Sequence, residues 1–347
     1  MRCDRHRVHE RSLLMFSFHV VPGTAVHRIL TTDREGVIAA VRSAYLSHRA
    51  GSTVNPDSYF LRFPEKPDSR IIALPAYLGD DVQVAGIKWI SSFPANTRRG
   101  VPRASAVLVL NDYETGQPFA CLEAAGISAA RTAASAALAA SALRPGGYAG
   151  TRIAVVGAGV IARTVCDYLH TVGCVPDSYV IHDLDETSGR ALAGHVRSEL
   201  GLPAVFTPEL GEACAADTVL FATTALKPYV TEPFRPGQLV LNISLRDLAP
   251  EVVLAAENFV DDVDHCLKAD TSPHLAERLS GGRDFIKGTL ADVLAGRLAP
   301  DPGRPVVFSP FGLGVLDLAV GALVLGRARE TGAAVEVPEF FGETTRW

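Results

Sequence analysis

The sequence predicts an α/β protein of two domains, one of them built on a doubly wound parallel sheet. Three observations carry this. From residue 152 onward, short apolar runs alternate with helix-forming segments, the pattern of strands joined by crossover helices. Before that, residues 59–112 hold strand-like runs separated by turns. The chain has 347 residues, more than one hydrophobic core usually organises.

The elements follow in order. DREGVIAAVRSAYLSHRA (33–50) spaces its apolar residues along one helical face, and Gly51 is a natural stop. YFLRF, RIIALPAYL, VAGIKWISSF and ASAVLVLND read as strands, and the last forms a hairpin with YETGQPFACLE. A mixed sheet therefore occupies most of residues 20–124. AGISAARTAASAALAASALR (125–144) is nearly all helix formers, small enough for close packing, and PGG ends it at 145–147. Strand 152–157 then leads into a helix from about residue 159. YVIHD is a second strand with ETSGRALAGHVRSEL as its helix, and PAVFT, TVLFATTA and QLVLNIS are further strands. VVFSPFGLGVLDLAVGALVLGRARETG predicts a long apolar helix behind a glycine loop, returning to the first domain. The expected boundaries are 15–130, 131–305 for the doubly wound domain, and 306–347 for the return.

Hydrophobic residues make up 48% and charged residues 20%, so the chain has ample core and global disorder is excluded. A formal charge of −5 argues against a broad nucleic-acid footprint. Cysteines 3, 121, 166, 174, 214 and 266 form no CxxC pair, which suggests a reducing, cytoplasmic setting without a disulfide framework or zinc cluster. No HExxH pattern is present, and no metal is expected. The opening MRCDRHRVHERSLLMFSF is basic and then apolar, but His19, Pro22 and Gly23 break the apolar part and no small-residue cleavage site follows. It reads as a tail, with Met15 as an alternative start. The alanine-rich stretch 124–142 contains Arg131 and does not suit a membrane span.

TRIAVVGAGVIA (151–162) holds a GxGxxA pattern at Gly157, Gly159 and Ala162. The first glycine permits a tight turn, the second lets the backbone approach a pyrophosphate, and the small third residue lets helix and strand pack closely. Ala158, Val160 and Ile161 complete the turn and the helix start, whose N–H groups face a phosphate. Asp183 ends the next strand, where an acid accepts both ribose hydroxyls and repels a 2′-phosphate; this favours NAD over NADP. The interval from Gly157 is slightly longer than usual, and Asp185 either replaces Asp183 or caps the following helix. The bland alternative is a strand–turn–helix that binds nothing. The order of strand, glycines, helix and acid favours a Rossmann-type NAD domain.

Hydride transfer also needs a held substrate, and three cations outside the glycine turn stand out. Arg62, between Leu61 and Phe63, is either a carboxylate anchor or a solvated strand arginine. Lys88, among Ile87, Trp89 and Ile90, is either an edge-strand gatekeeper or a cleft residue. Arg131, among small residues, is either reachable from a groove or salt-bridged to the sheet. Asp247, in LNISLRDLAPE, follows a strand on the side where ligands bind; it is either a proton acceptor or the N-cap of a short helix. His182 and His265 lie on nearby loops and receive no catalytic role.

GIKWI, RASAVLVLNDYETGQPFACLEA, ISAARTAASA, VVGAGVIA, NISLRDLAPEVVLAAENFVDDVDHC and SPFGLGVLDLA together resemble the ornithine cyclodeaminase/μ-crystallin family, from about residue 20 to the end. Within it the chain looks most like the 2,3-diaminopropionate biosynthesis dehydrogenase branch. The resemblance implies a Rossmann domain inserted into a mixed α/β domain for substrate binding and dimerisation, with a homodimer formed through its sheet. It implies that Arg62, Lys88 and Arg131 bind substrate carboxylates, and that Lys88 and Asp247 act in catalysis. It places Arg131, Thr132, Thr223, Thr224, Gly312 and Gly314 near the cofactor. SLRDLAP stands where ornithine cyclodeaminases have GGDCPGKTE, which argues against ornithine cyclisation. The implied reaction is NAD-dependent oxidation of N-(1-amino-1-carboxyl-2-ethyl)-glutamate to an imine, whose hydrolysis yields L-2,3-diaminopropionate and 2-oxoglutarate. A pyridoxal-phosphate-dependent synthase would supply this conjugate, and the product would serve siderophore or peptide antibiotic synthesis. The alternatives are a cyclodeaminase or related imine- or opine-type oxidoreductase, and a non-enzymatic small-ligand binder.

Overall fold

The computed structural model describes residues 17–342; Met15 and the basic segment before it lie outside the described residues. The chain divides into two compact units. The first comprises the residues up to Asp33, Gly51–Ile127 and the residues from Asp317 onward; the second comprises Arg34–Ala50 and Ser128–Leu316.

The first unit is built on an eight-stranded mixed sheet. Its path runs Val335–Val337, Phe18–Val21, Pro118–Glu123, Ala104–Asp112, Val84–Ser92, Lys66–Leu78 and Thr53–Val54, and Tyr59–Phe63 also pairs with Lys66–Leu78. Neighbours are antiparallel except Phe18–Val21 with Pro118–Glu123. Alternation along the strands separates two faces. Leu108, Leu110, Ala120 and Leu122 are fully buried on one, each leucine worth roughly 1.5–3 kcal/mol of burial. Trp89 and Val107 remain 39% and 41% exposed on the other. The C-terminal helix packs on the buried face because glycines let it approach. A Cβ on Gly86 would lie 2.9 Å from Leu318 Cδ2, and one on Gly321 would lie 2.2 Å from Leu108 Cδ2.

The second unit is a parallel eight-stranded sheet of Rossmann type. Its order is Ala204–Phe206, Ser178–His182, Arg152–Val156, Thr218–Phe221, Leu239–Asn242, Val306–Ser309, Glu257–Val260 and Ile286–Thr289. Central strands such as Thr218–Phe221 and Leu239–Asn242 are buried at every position, as a sheet covered on both faces requires. The chain moves outward on one side of Arg152–Val156 and later resumes on the other, so the topological switch point lies between that strand and Thr218–Phe221. Helix Arg34–Arg49 belongs to this unit; it buries Val37, Val41, Ala44 and Tyr45 at helical spacing, and Tyr45 hydrogen-bonds Ser135 through their hydroxyls at 2.7 Å.

The division differs from the sequence boundaries in two places. Val306–Ser309 is a strand of the second sheet, so the return begins at Asp317 and not at residue 306. Helix Arg34–Arg49 was expected in the first domain. Helix Gly23–Thr32 and the four-residue strands Phe18–Val21, Glu257–Val260 and Ile286–Thr289 are further elements that the sequence reading did not place. Among the described residues no helix is long and apolar enough to cross a membrane.

Candidate active site

The glycine turn sits at the switch point. Gly157 has φ +93°, and a Cβ there would lie 2.6 Å from the Ala222 carbonyl oxygen, so glycine is required by conformation and by space. Gly159 caps helix Val160–Thr171 in an extended conformation, and a Cβ there would meet nothing within 4 Å. The space above this backbone is open, while Ala162 packs at 0% exposure beneath it. Asp183 follows the adjacent strand. Its carboxylate accepts from Ala158 N at 2.6 Å and from Asp185 N at 2.8 Å, which ties the acid to the glycine turn. Asp185 caps helix Glu186–Glu199 through Ser188 N, the second of its two expected roles. Val160, the first residue of its helix, is 64% exposed, and Leu184 and Leu226, on the loops after the two flanking strands, are 99% and 71% exposed. These residues fit a dinucleotide: an open helix N-terminus for its phosphates, an acid for its ribose, and apolar side chains beside them.

Asp247 is fully buried and caps no helix; Ala249 occupies the N-cap of Pro250–Leu254. Its carboxylate accepts from three hydroxyls: Thr223 at 2.5 Å, Tyr229 at 2.9 Å and Ser244 at 2.5 Å. Its carbonyl accepts from the backbone of Tyr229 and Val230. Asp247 thus clamps the loop after Thr218–Phe221 to the loop after Leu239–Asn242. Burial, then the negative charge of Asp247, pushes the Tyr229 hydroxyl well above its ordinary range, so it stays a donor. Thr224 is exposed on the same loop.

Arg131 and Thr132 lie half-buried on helix Ala125–Leu143, where Thr132 donates to the Ser128 carbonyl at 2.8 Å. Gly312 abuts Arg131: a Cβ at Gly312, with φ +96°, would lie 2.3 Å from the Arg131 Nη1. The Gly312 backbone is itself held. Asp261, fully buried, accepts from Gly312 N at 2.6 Å, Phe311 N at 2.9 Å and Asp262 N at 2.9 Å. Burial raises the Asp261 carboxyl above its usual range despite these donors. Gly314 begins the last helix, Gly314–Glu330.

In the first unit, Lys88 is 1% exposed and donates to Asp317 at 2.7 Å; Asp317 is fully buried. Lys88 is therefore no edge-strand gatekeeper: Val84–Ser92 is paired on both sides. Arg62 is exposed, with its guanidinium 5.4 Å from the Phe60 ring centroid.

Sequence reasoning missed several groups. Asp261 sits in an acidic run that reads as surface. Tyr229 and Ser244 matter only through Asp247. Asp317 left a usable signal, as the one acid within the apolar stretch GVLDLAVGALVLG. His182 is buried and bonds the Thr207 carbonyl through Nδ1 at 3.2 Å, and His265 pairs with Asp262 at 3.0 Å. The surface hollows at Phe63–Lys66 with Phe93, and at Gly51–Val54 with Tyr77, contain none of these groups.

Three similarities accompany this geometry. The chain is 30% identical over 293 residues to the nodulation efficiency protein NfeD of Rhizobium meliloti, covering 82% of this chain and 88% of that one. It is 26% identical over 309 residues to N-((2S)-2-amino-2-carboxyethyl)-L-glutamate dehydrogenase of Staphylococcus aureus, covering 84% and 90%. It superposes on the Thermococcus litoralis Δ1-pyrroline-2-carboxylate reductase, solved with NADH and L-proline, with a TM-score of 0.84 at 24% identity, covering 92% and 100%. The model of the ornithine cyclodeaminase/mu-crystallin family matches residues 24–332, and the chain belongs to that family.

Proposed function

We propose that this protein is a dehydrogenase of a carboxylate-rich secondary amine, with N-(1-amino-1-carboxyl-2-ethyl)-glutamate as the substrate that fits its residues best. At the coarser level it is an NAD-dependent oxidoreductase acting on an amino or imino acid through an imine. The observation that carries the reading is the switch-point turn, where Gly157, the open Gly159 backbone and Asp183 form one hydrogen-bonded unit. When bound, NAD supplies a hydride acceptor. Gly157, Ala158, Gly159, Val160, Ile161 and Asp183 would hold its pyrophosphate and ribose, with Thr223, Thr224, Arg131, Thr132 and Gly312 toward its other end.

The chain's own groups bind, orient and move protons. Arg62, Lys88 and Arg131 anchor carboxylates. Asp317 lies 2.7 Å from the Lys88 ammonium and offsets the cost of burying it. Oxidation requires loss of a proton from the substrate amine, and hydrolysis of the imine then requires an oriented water. Asp247 is assigned to this proton transfer through the hydroxyls of Thr223, Tyr229 or Ser244, which occupy its oxygens. The balance is conjugate, NAD⁺ and water giving 2-oxoglutarate, L-2,3-diaminopropionate, NADH and a proton. An enzyme that joins two amino acids, such as a pyridoxal-phosphate-dependent synthase, supplies such a substrate.

The test is incubation of the protein with the conjugate and NAD, with NADH followed by absorbance and both products by mass. Equal amounts of NADH and 2-oxoglutarate support the reading. Ammonia release without net NADH would point to a cyclodeaminase. An Asp247→Asn protein with full turnover and normal NAD affinity would remove the Asp247 assignment. A second reading, an imine reductase, draws support from the pyrroline-carboxylate reductase likeness; it predicts NADH consumption with a cyclic imino acid and no reaction with the conjugate.

The homodimer belongs to the same proposal. Tyr59, Ala73, Trp89 and Val107 stand opposite one another across four strands. Tyr59, Trp89 and Val107 are 71%, 39% and 41% exposed, an apolar row suited to a second copy of this sheet.

A further inference from the structure

Asp261 is a buried acid that none of the roles above uses. It directly follows strand Glu257–Val260, and the neighbouring strand Val306–Ser309 leads to Phe311 and Gly312. Val260 stands opposite Ser309, so the two loops leave the sheet side by side. Asp261 joins them: its Oδ1 accepts from Phe311 N at 2.9 Å and its Oδ2 from Gly312 N at 2.6 Å. A third bond, from Asp262 N at 2.9 Å, fixes the carboxylate on its own loop. The next residue, Asp262, pairs instead with His48 and His265, both at 3.0 Å.

Gly312 shows what this anchor serves. Its φ of +96° suits glycine, and a Cβ there would lie 2.3, 2.9 and 3.0 Å from Arg131 Nη1, Nη2 and Cζ. Three atoms of one guanidinium crowd that single point, so the guanidinium lies flush against the Gly312 backbone. The Tyr45 hydroxyl marks the same neighbourhood. Burial raises it well above its ordinary range, the Asp261 charge adds to this, and Arg131 opposes it. Tyr45 bonds Ser135, one turn along the helix that carries Arg131. An acid, a glycine backbone and a guanidinium therefore stand in series.

We propose that Asp261 is a positioning residue: through the Gly312 backbone it sets the orientation in which Arg131 presents its guanidinium to a substrate carboxylate. This rests on Arg131 as a carboxylate anchor and deepens that reading. A planar fork of donors grips a carboxylate only when turned correctly, so a displaced backbone beneath it costs affinity without removing any charge. Asp261→Asn is the sharp perturbation. It keeps the shape, but its amide offers one acceptor oxygen and sets N–H donors where a backbone N–H points. The Phe311 or Gly312 amide is then left without its acceptor, and the loop shifts.

The experiment measures 2-oxoglutarate affinity of the NADH-saturated protein by calorimetry, and amide hydrogen exchange by mass spectrometry. Asp261→Asn should weaken 2-oxoglutarate about tenfold. It should also speed exchange of the segment holding the Phe311 and Gly312 amides, with strand Leu239–Asn242 unchanged. In an Arg131→Lys background the same substitution should weaken 2-oxoglutarate by less than about twofold, because no oriented fork is left to lose. A purely structural acid weakens both backgrounds equally, and that result overturns the proposal. So does wild-type affinity in Asp261→Asn, or unchanged exchange at 311–312. Should the Asn protein fail to fold, Asp261→Ser carries the same comparison, since it leaves room for a water on the freed N–H groups. A wild type that binds no 2-oxoglutarate removes the carboxylate anchor, and the proposal with it. NADH production from the amino-acid conjugate is followed separately. A wild type that binds 2-oxoglutarate with the expected dependence on Asp261 and forms no NADH sinks the proposed reaction and leaves Asp261 in its role. Normal NADH production beside equal losses in both backgrounds sinks the Asp261 role alone.

Discussion

Replacing Gly159 with alanine separates folding from cofactor binding. The position has φ −80° and ψ −173°, a conformation open to any residue, and the added methyl meets nothing within 4 Å. Alanine is a poorer N-cap than glycine, at a cost of up to about 1 kcal/mol. Removing a glycine also lowers the entropy of the unfolded chain, a gain of about 0.4–1 kcal/mol. The two nearly cancel, so thermal unfolding should shift little. Affinity for NAD behaves differently. A methyl between the helix N-terminus and a pyrophosphate removes one charge-assisted hydrogen bond, worth about 1.5–3 kcal/mol, or roughly 10- to 150-fold in Kd. Calorimetric titration with NAD beside a melting curve reads both quantities. A normally folded Gly159→Ala protein with wild-type NAD affinity would refute the placement of the phosphates at this helix. Gly157→Ala is the contrasting case: φ +93° and a 2.6 Å approach to Ala222 O make it destabilising whether or not NAD binds.

Two further outcomes follow from the first unit. Lys88→Met leaves Asp317 buried without its 2.7 Å ammonium partner and should cost about 3–5 kcal/mol in urea unfolding. The double variant Lys88→Met/Asp317→Leu should recover much of that stability and still form no NADH; recovered turnover would show that Lys88 serves only the fold. Trp89→Glu places a charge within the exposed apolar row and should shift light-scattering mass from dimer to monomer, with the melting curve unchanged. A persisting dimer would place the interface elsewhere.

The sequence carried most of the local architecture. TRIAVVGAGVIA announces a strand, a tight turn and a helix because the apolar run, the glycines and the small Ala162 each have a local steric reason. Asp183 was legible for the same reason, as the acid closing the next apolar strand. Helices Arg34–Arg49 and Ala125–Leu143 were likewise visible through spacing and helix-forming composition. Strands Phe18–Val21, Glu257–Val260 and Ile286–Thr289 were not, since so short a run has no measurable period and no glycine turn or apolar run marks them as it marks Thr218–Phe221. Val306–Ser309 reads equally well as the start of the glycine loop, which moved the expected boundary.

Side-chain partnership lies beyond such signals. The sequence by itself determined most of the strands and helices, the dinucleotide fingerprint, and the surplus of cations outside it. Only the tertiary structure decided that Lys88 meets an acid 229 residues away, that Asp247 is a hydroxyl-bound clamp and not a cap, and that Asp261 holds the backbone of Phe311 and Gly312. The physical reason is range. Periodicity and turn chemistry act between near neighbours along the chain, whereas register and helix packing choose among distant segments by burial and steric fit, and it is those choices that set which charges meet.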